Sequence, residues 1–264
     1  MTDNELDADT AERIRIQGFH SVKHAWRFGV ELVDLVAVDR ARAIAIARDL
    51  APDLVEPLTG ARQVDETEFS RLIGGDHPTG VGALGIRPRS GGPDSLLASA
   101  TGPIVFLEDP RRLGNVGAVI RTAAGLGGVG VLTSGTVDPW HERAVRASAG
   151  LHFAIQVHHV QQLPELGSRL VVFDADGADL RDIHLPDDAV LAFGTERHGV
   201  SDALLAQAGT VAASPMRPGV SSLNLATAVS IGLYAWLASG DREDTVFSPR
   251  IPGSGRGELE EETS

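Results

Sequence analysis

The sequence contains no cysteine and no long uninterrupted apolar run. None of its 264 residues is a cysteine, which excludes a fold built on disulfides. The longest nearly apolar stretch, Leu223 to Ala238, includes Asn224 and Gly232, so it predicts a packed helix rather than a bilayer span. The first residues are rich in Asp and Glu and lack the charged-then-apolar order of a leader. From these absences we expect a cytoplasmic protein with no membrane partner.

The negative charge is concentrated at the two ends of the chain. The net charge is −13, of which residues 1–12 carry −5 and residues 241–264 carry −4, leaving −4 for the body. Both ends have the composition of disordered tails. Nearly all the positive charge in the body is arginine, whose planar fork suits phosphate. The charge distribution is therefore compatible with an RNA partner, although the total alone would argue against one.

The first third of the chain, residues 13–90, predicts a small α/β domain. Apolar periodicity predicts helices at 20–28 and 40–50 and strands at 32–38 and 81–86. Asp65 and Glu68 have the spacing of a capping box, which predicts a further helix through Ile73. Turn-forming residues follow this domain, and we place a linker at 91–99.

Residues 100–240 alternate between strand and helix in a second run. Strands are predicted at 104–107, 129–132, 153–157, 170–173, 190–193 and 211–213, and helices at 115–126, 139–148, 201–207 and 222–237. In the last helix, Leu225, Val229, Leu233 and Trp236 fall on one apolar stripe. Strands that alternate with helices predict a parallel sheet covered on both faces, so the expected fold class is α/β.

Polar segments follow three of the predicted strands, at the edge where open α/β sheets bind ligands. The first segment has Asn115 in position to cap a helix and Arg121 six residues further along that helix. Taken alone, this segment is explained by a structural cap and a surface arginine.

In the second segment, Gly194 and Gly199 flank Glu196 directly after an apolar strand. The glycines permit a tight turn or a close approach of the backbone to a ligand, and Glu196 has no apolar surface to support. An ordinary turn followed by a helix capped at Ser201 is the structural alternative.

The third segment, residues 214–224, is a loop with two prolines and a glycine that leads to Ser222 and Asn224. These two polar residues begin an otherwise apolar helix. A purely structural interpretation makes Ser222 the N-cap of that helix. Each of the three segments alone is therefore a weak indication of a ligand site.

Together, in this order and spacing, the segments resemble the three motifs of the SpoU (TrmH-like) RNA ribose methyltransferases of the SPOUT superfamily. The matches are N-x-G-x-x-x-R at 115–121, F-G-x-E-x-x-G at 193–199 and P-M-x-x-G-x-x-S-L-N at 215–224. The resemblance covers residues 104–237. Residues 13–90 resemble the ribosomal-protein-like substrate-binding domain that many of these enzymes carry.

This resemblance implies a knotted parallel-sheet domain that binds S-adenosylmethionine, without a metal, and methylates a ribose 2′-hydroxyl of RNA. The resemblance favours rRNA over tRNA as the substrate. It also implies a homodimer formed through the catalytic domain. The residues implied to line the cofactor pocket are Gly194, Gly199, Ser214, Met216 and Leu223. Ser214 stands where the family commonly has isoleucine, a change that a backbone contact tolerates.

The resemblance implies catalytic roles for five further residues: Asn115, Arg121, Glu196, Ser222 and Asn224. Family members use the arginine to hold the ribose and, in some cases, as a general base. An arginine side chain, with a pKa above about 12, is a poor base. We therefore expect Arg121 to clamp a phosphate or the 2′-oxygen and to stabilise the developing alkoxide. The general base is left unassigned.

Other functions have weaker support in the sequence. Residues 80–85 and 125–130 both spell G-x-G-x-x-G. The dinucleotide fingerprint of an oxidoreductase must follow a strand and open a helix, and we expect neither stretch to do so. The other alternative is a non-catalytic RNA-binding module on the same fold. The presence of all five catalytic positions argues against it. Hydrolase and metalloprotease patterns are missing, and His158-His159 is expected to face solvent.

Overall fold

The computed structural model describes residues 13–195 and 199–239, and these residues contain two β-sheets. Glu196 and the two predicted tails lie outside the described residues. The first sheet has the strand order β1-β4-β2-β3. Its strands are β1 (Arg13–Gln17), β2 (Leu32–Ala37), β3 (Arg62–Gln63) and β4 (Val81–Ile86). β4 runs antiparallel to β1 and β2, and β3 runs parallel to β2.

Side-chain caps set the start of two helices beside this sheet. The helices described here are α1 (Phe19–Arg27), α2 (Arg40–Leu50), α3 (Val55–Thr59) and α4 (Glu66–Ile73). Asp39 caps α2 by accepting from the Arg42 amide at 2.9 Å. Asp65 caps α4 by accepting from the Glu68 amide at 2.7 Å. The helix start predicted at Asp65 is therefore confirmed.

The second sheet has six parallel strands in the order β10-β8-β9-β5-β6-β7. The strands are β5 (Ile104–Leu107), β6 (Gly130–Thr133), β7 (Gln156–His159), β8 (Leu170–Asp179), β9 (Val190–Phe193) and β10 (Thr210–Ala213). The helices are α5 (Gly92–Ser99), α6 (Leu113–Gly125), α7 (Glu142–Ala147), α8 (Asp202–Ala206) and α9 (Leu225–Ala238). β5, β6 and β9 are buried along their whole length, as expected for a covered parallel sheet. The predicted α/β class is confirmed.

Two predicted boundaries near the start of this half are wrong. Residues 91–99 are not an irregular linker, because most of them form α5, whose Leu96 and Leu97 are buried against the second sheet. Helix α6 begins at Leu113 rather than after Asn115. Leu113 packs against the core, which accounts for the earlier start and places Asn115 in the first turn instead of at the cap.

Two boundaries further along also differ from the prediction. Asn224, not Ser222, caps α9, because its side chain accepts from the Ala226 amide at 2.9 Å. The strand expected at 153–157 lies later, at β7, since residues 151–153 form a 3₁₀ turn. The predicted stripe of α9 is buried as expected.

The two G-x-G-x-x-G stretches lie in the wrong local structure for a dinucleotide site. Residues 80–85 lead into β4 and run along it, and residues 125–130 connect α6 to β6. Neither stretch follows a strand and opens a helix, which the fingerprint requires. Within the described ranges, no helix combines the length and the apolar character needed to cross a bilayer.

A close contact joins α1 of the first half to the turn after α7 in the second. The His24 ring donates from Nδ1 to the Ala149 carbonyl at 2.6 Å, and burial lowers the pKa of this histidine. A Cβ on Gly150, whose φ is +79°, would lie 2.6 Å from the Ser21 carbonyl oxygen. The positive φ and the close approach of Ser21 both require glycine there. The contact fixes α1 beside the helices of the second sheet.

Candidate active site

A cavity of about 410 Å³ opens at the carboxyl ends of β9 and β10, beside the middle of β8. This is the edge at which parallel sheets bind ligands. The described residues that line it are Phe173, Asp174, Ala175, Phe193, Gly194, Thr195, Gly199, Ala212, Ser214, Met216, Ser221, Ser222, Leu223, Leu225 and Ala228. The fold thus brings the second and third polar segments of the sequence to one site.

Stacked aromatic rings form one apolar side of this cavity. Phe173 and Phe193 are paired residues on β8 and β9, and their ring centroids lie 4.4 Å apart with 19° between the planes. α9 passes close to them at Gly232, where a Cβ would lie 2.8 Å from Phe173 Cζ. Glycine allows the helix to approach the rings. The result is an apolar surface that suits a planar ligand group.

The loop after β9 closes on itself through two backbone hydrogen bonds. The Thr195 amide donates to the Gly199 carbonyl at 2.9 Å, and the Gly199 amide donates to the Thr195 carbonyl at 3.1 Å. A Cβ on Gly194 would overlap the backbone of Gly199 and Val200. Gly199 itself has φ +66°, a region that favours glycine. The two glycines therefore make this loop a compact backbone wall of the cavity.

Glu108, directly after β5, holds the far end of the same loop. Its Oε2 accepts from the Ser201 amide at 2.7 Å, and its Oε1 accepts from the Ser201 hydroxyl at 2.6 Å. Ser201 in turn caps α8, as predicted, by accepting from the Leu204 amide at 3.2 Å. The sequence analysis did not single out Glu108. Its position at a strand end, beside the first polar segment, was the available signal.

All five residues predicted to contact a cofactor line the cavity. They are Gly194, Gly199, Ser214, Met216 and Leu223. Ser222, which was predicted to be catalytic, lines it as well. Asp174 was not predicted, although it follows the apolar first half of β8, where sequence position alone favours a ligand contact. Glu196 belongs to the part of the chain that the structure does not describe.

Asn115, Arg121 and Asn224 do not line the cavity. Asn115 is half-buried in the first turn of α6, and Arg121 is exposed later on the same helix. Asn224 is occupied as the cap of α9. The predicted catalytic set is therefore split between the cavity and the neighbouring surface of α6.

Arg121 lies close enough to α1 to form a cationic surface with it. Burial lowers the pKa of Lys23, and the positive charges of Arg27 and Arg121 lower it further. The pKa of His20 is lowered by burial and then by Lys23 and Arg121. Arg27 is held by Asp53 through a two-point ion pair with its shorter contact at 2.7 Å. The two halves of the chain thus contribute positive charge to one surface.

A second exposed surface lies along α9. Tyr234 is 64% exposed, and it lines a shallow apolar depression with Ala226, Thr227, Ser230 and Ile231. The opposite side of the helix carries the buried stripe. An apolar face of this kind on a packed helix is typical of a contact with another protein surface.

The described residues contain no group of three or more His, Asp or Glu side chains placed to hold a metal ion. His158, in β7, is half-buried and hydrogen-bonded at 3.2 Å to both Ser90 and Gln156, so it faces solvent only in part. His159 is exposed, as expected.

The family model described as the SpoU rRNA Methylase family matches residues 102–234. This match covers half of the chain and includes every described residue of the cavity. It coincides with the second sheet, from before β5 to α9.

Known proteins resemble the chain to different extents. A 23S rRNA (adenosine(1067)-2′-O)-methyltransferase of Streptomyces azureus is 27% identical over 83% of this chain and 84% of that protein. The protein of the same description from Streptomyces laurentii is 32% identical over 52% of this chain, which spans only 55% of that relative. The AdoMet-bound rRNA methyltransferase structure from Sinorhizobium meliloti gives a TM-score of 0.67 at 25% identity, covering 88% of this chain and 89% of that one. The chain belongs to the SpoU rRNA methylase family.

Proposed function

We propose that this chain transfers a methyl group from S-adenosylmethionine to a ribose 2′-hydroxyl of RNA, with rRNA as the substrate class. The observation that carries the proposal is the single cavity around which the five family cofactor positions meet. The two Streptomyces relatives are both 2′-O-methyltransferases of 23S rRNA, which supports rRNA over tRNA as the substrate.

The cavity fits the cofactor in size and in chemistry. Its volume, about 410 Å³, lies in the range of roughly 300–1,000 Å³ that holds small-molecule ligands. Gly194 packs so closely against the backbone of Gly199 and Val200 that no Cβ fits there, so this side of the cavity presents backbone groups to a ligand. We assign Gly194, Gly199, Ser214 and Leu223 to the cofactor mainly through their backbone, and Met216 through its side chain. When bound, S-adenosylmethionine supplies an electrophilic methyl group.

The chain's own contribution to the reaction is positioning and charge stabilisation. Holding a hydroxyl in line with a reactive methyl group supplies much of the acceleration of such a displacement. We propose that Arg121 faces the RNA, because it is exposed on α6 and outside the cavity lining. There it holds a phosphate or the 2′-oxygen and stabilises the negative charge that develops there. Asn115, Ser222 and Asn224 orient the groups around it.

We propose further that residues 13–90 bind the RNA and that α1 presents the contact surface. Lys23 extends the charge of Arg121 across the junction of the two halves, and His20, whose lowered pKa keeps its ring neutral, lies beside them. Trp26 and Phe28, each 43% exposed, supply rings on which unpaired bases can stack. Cationic side chains interleaved with exposed aromatics are the usual composition of a surface for single-stranded RNA.

The assembly that we propose is a homodimer through the catalytic domain, with α9 in the interface. Tyr234 and Ile231 on its exposed face would be covered by the second copy. We also propose the family's knot, in which the chain after Gly194 passes through an earlier loop. The joint lining of one cavity by the loop after β9 and the loop before α9 supports this path.

Binding and transfer are tested separately. Calorimetry should give saturable binding of S-adenosylmethionine without added metal and none of NAD. Incubation with tritiated S-adenosylmethionine and ribosomal RNA should then label the RNA, and transfer RNA should be labelled less. Binding of NAD alone would refute the proposed cofactor. Cofactor binding without labelling of ribosomal or transfer RNA would favour the non-catalytic module.

A further inference from the structure

Asp174 is the only ionisable side chain among the described residues that line the cavity. It is half-buried and follows the apolar half of β8. The family motifs do not include this position, and the other described residues of the lining offer only apolar, hydroxyl and backbone groups. Its surroundings indicate which ligand group suits it.

The orientation of the carboxylate leaves one oxygen on the cavity side. Oδ1 accepts from the Asp176 amide at 3.0 Å and so closes a local turn. Oδ2 lies toward the loop after β9, 3.7 Å from where a Cβ on Gly199 would stand. A carboxylate oxygen only accepts hydrogen bonds, so Oδ2 is suited to a ligand hydroxyl or ammonium group beside that loop.

Sheet register places this oxygen relative to the apolar part of the site. Phe173 pairs with Phe193 across β8 and β9, so the next residues, Asp174 in the middle of β8 and Gly194 directly after β9, stand side by side. The stacked rings lie one residue behind them. A nucleoside whose base lies near those rings therefore presents its sugar at the level of Asp174.

A ribose diol fits this position better than a positive charge does. In parallel sheets that bind dinucleotides, an acidic side chain near the glycine-rich turn holds a ribose hydroxyl, which is a precedent for a carboxylate beside Gly194. An ion pair at a partly exposed rim contributes little, and two neighbouring hydroxyls that donate to one charged oxygen make charge-assisted hydrogen bonds, which are stronger than neutral ones.

We propose that Asp174 binds the ribose diol of the cofactor through Oδ2, an inference that rests on the proposed function. Asp174 is then a binding residue that recognises the nucleoside part of the ligand. It has no part in recognising the sulfonium or the amino-acid end.

Three ligands distinguish which part of the cofactor Asp174 contacts. S-adenosylmethionine carries the diol, the sulfonium and the amino-acid end; S-adenosylhomocysteine lacks the sulfonium; 5′-methylthioadenosine keeps the diol and lacks both other groups. Asp174→Asn preserves the acceptor for the Asp176 amide and removes the negative charge. We expect this variant to bind all three ligands about tenfold or more weakly, by a common factor. Asp176→Asn, on an exposed neighbour, is the matched control and should bind as the wild type does.

The other outcomes each overturn the assignment. A loss confined to S-adenosylmethionine would assign the carboxylate to the sulfonium, and a loss that spares 5′-methylthioadenosine would assign it to the ammonium group. Unchanged affinities would refute a binding role for Asp174 while leaving the proposed function intact. A wild-type chain that binds none of the three would refute the cofactor itself. Independently of any variant, 2′-deoxy-5′-methylthioadenosine should bind the wild type more weakly than its parent does, and equal binding would contradict the proposal.

Discussion

Replacing Gly194 with alanine tests whether the loop after β9 is a wall of the cofactor site. The added methyl group would overlap the backbone of Gly199 and Val200. Because the obstructing atoms are backbone, no side-chain rotation relieves the overlap. Gly199 and Val200 must therefore shift, although two backbone hydrogen bonds hold Gly199 to Thr195.

The cost of this movement can be estimated from its parts. Each hydrogen bond of the turn contributes about 1 kcal/mol, and overpacking strain typically costs about 1–3 kcal/mol. With both hydrogen bonds lost, we expect Gly194→Ala to lower the free energy of unfolding by about 3–5 kcal/mol. Because the displaced turn also lines the cavity, affinity for S-adenosylmethionine should fall by more than about tenfold.

Urea unfolding and calorimetry measure the two effects on the same protein. Gly125→Ala is the matched control, because a Cβ at the end of α6 meets nothing within 4 Å and φ is not positive there. That substitution should leave cofactor affinity unchanged and stabilise the fold by up to about 1 kcal/mol. A Gly194→Ala protein with wild-type stability and affinity would refute the role of the loop.

Three further predictions address the remaining parts of the account. Arg121→Ala should reduce turnover on RNA at least about a hundredfold while leaving the cofactor affinity measured by calorimetry unchanged. Arg121→Lys should recover only part of the rate. Near-normal turnover of the alanine variant would make Arg121 an ordinary surface residue. His152 has its pKa lowered to about 4 by burial, so the unfolded chain takes up a proton there that the folded chain does not. Lowering the pH from 7 to 5 should therefore reduce the free energy of unfolding of His152→Gln by about 2 kcal/mol less than that of the wild type. Equal reductions in the two proteins, measured by urea unfolding, would contradict this. Light scattering should give twice 27.8 kDa for the wild type and a smaller mass for Tyr234→Glu, whereas a wild-type monomer would exclude the dimer.

Local chemistry made some elements predictable from the sequence. β4, β5 and β9 have the predicted bounds, because short apolar runs flanked by turn formers have few alternatives in a buried sheet. The cap at Asp65 fixed the start of α4 in the same way. These signals act within a few residues and need no knowledge of the remainder of the chain.

Packing between distant segments decided what the sequence analysis missed. The glycines and Pro93 at the start of α5 indicated a turn, yet proline is also favoured in the first turn of a helix, and burial of Leu96 and Leu97 made the helix form. Asp174 follows the predicted strand 170–173, a position that favours a ligand contact, but only the pairing of β8 with β9 places it beside Gly194. The surface shared by Arg121 and Lys23 likewise depends on how the two halves meet.

The most direct test of the central claim is nucleoside mass spectrometry of ribosomal RNA that has been incubated with the purified chain and S-adenosylmethionine. The account predicts one new 2′-O-methylated nucleoside, resistant to alkaline cleavage on its 3′ side, that is missing when Arg121→Ala replaces the wild type. A methyl group found on a base instead of a ribose, or ribosomal RNA left unmodified while the cofactor binds, would contradict the account.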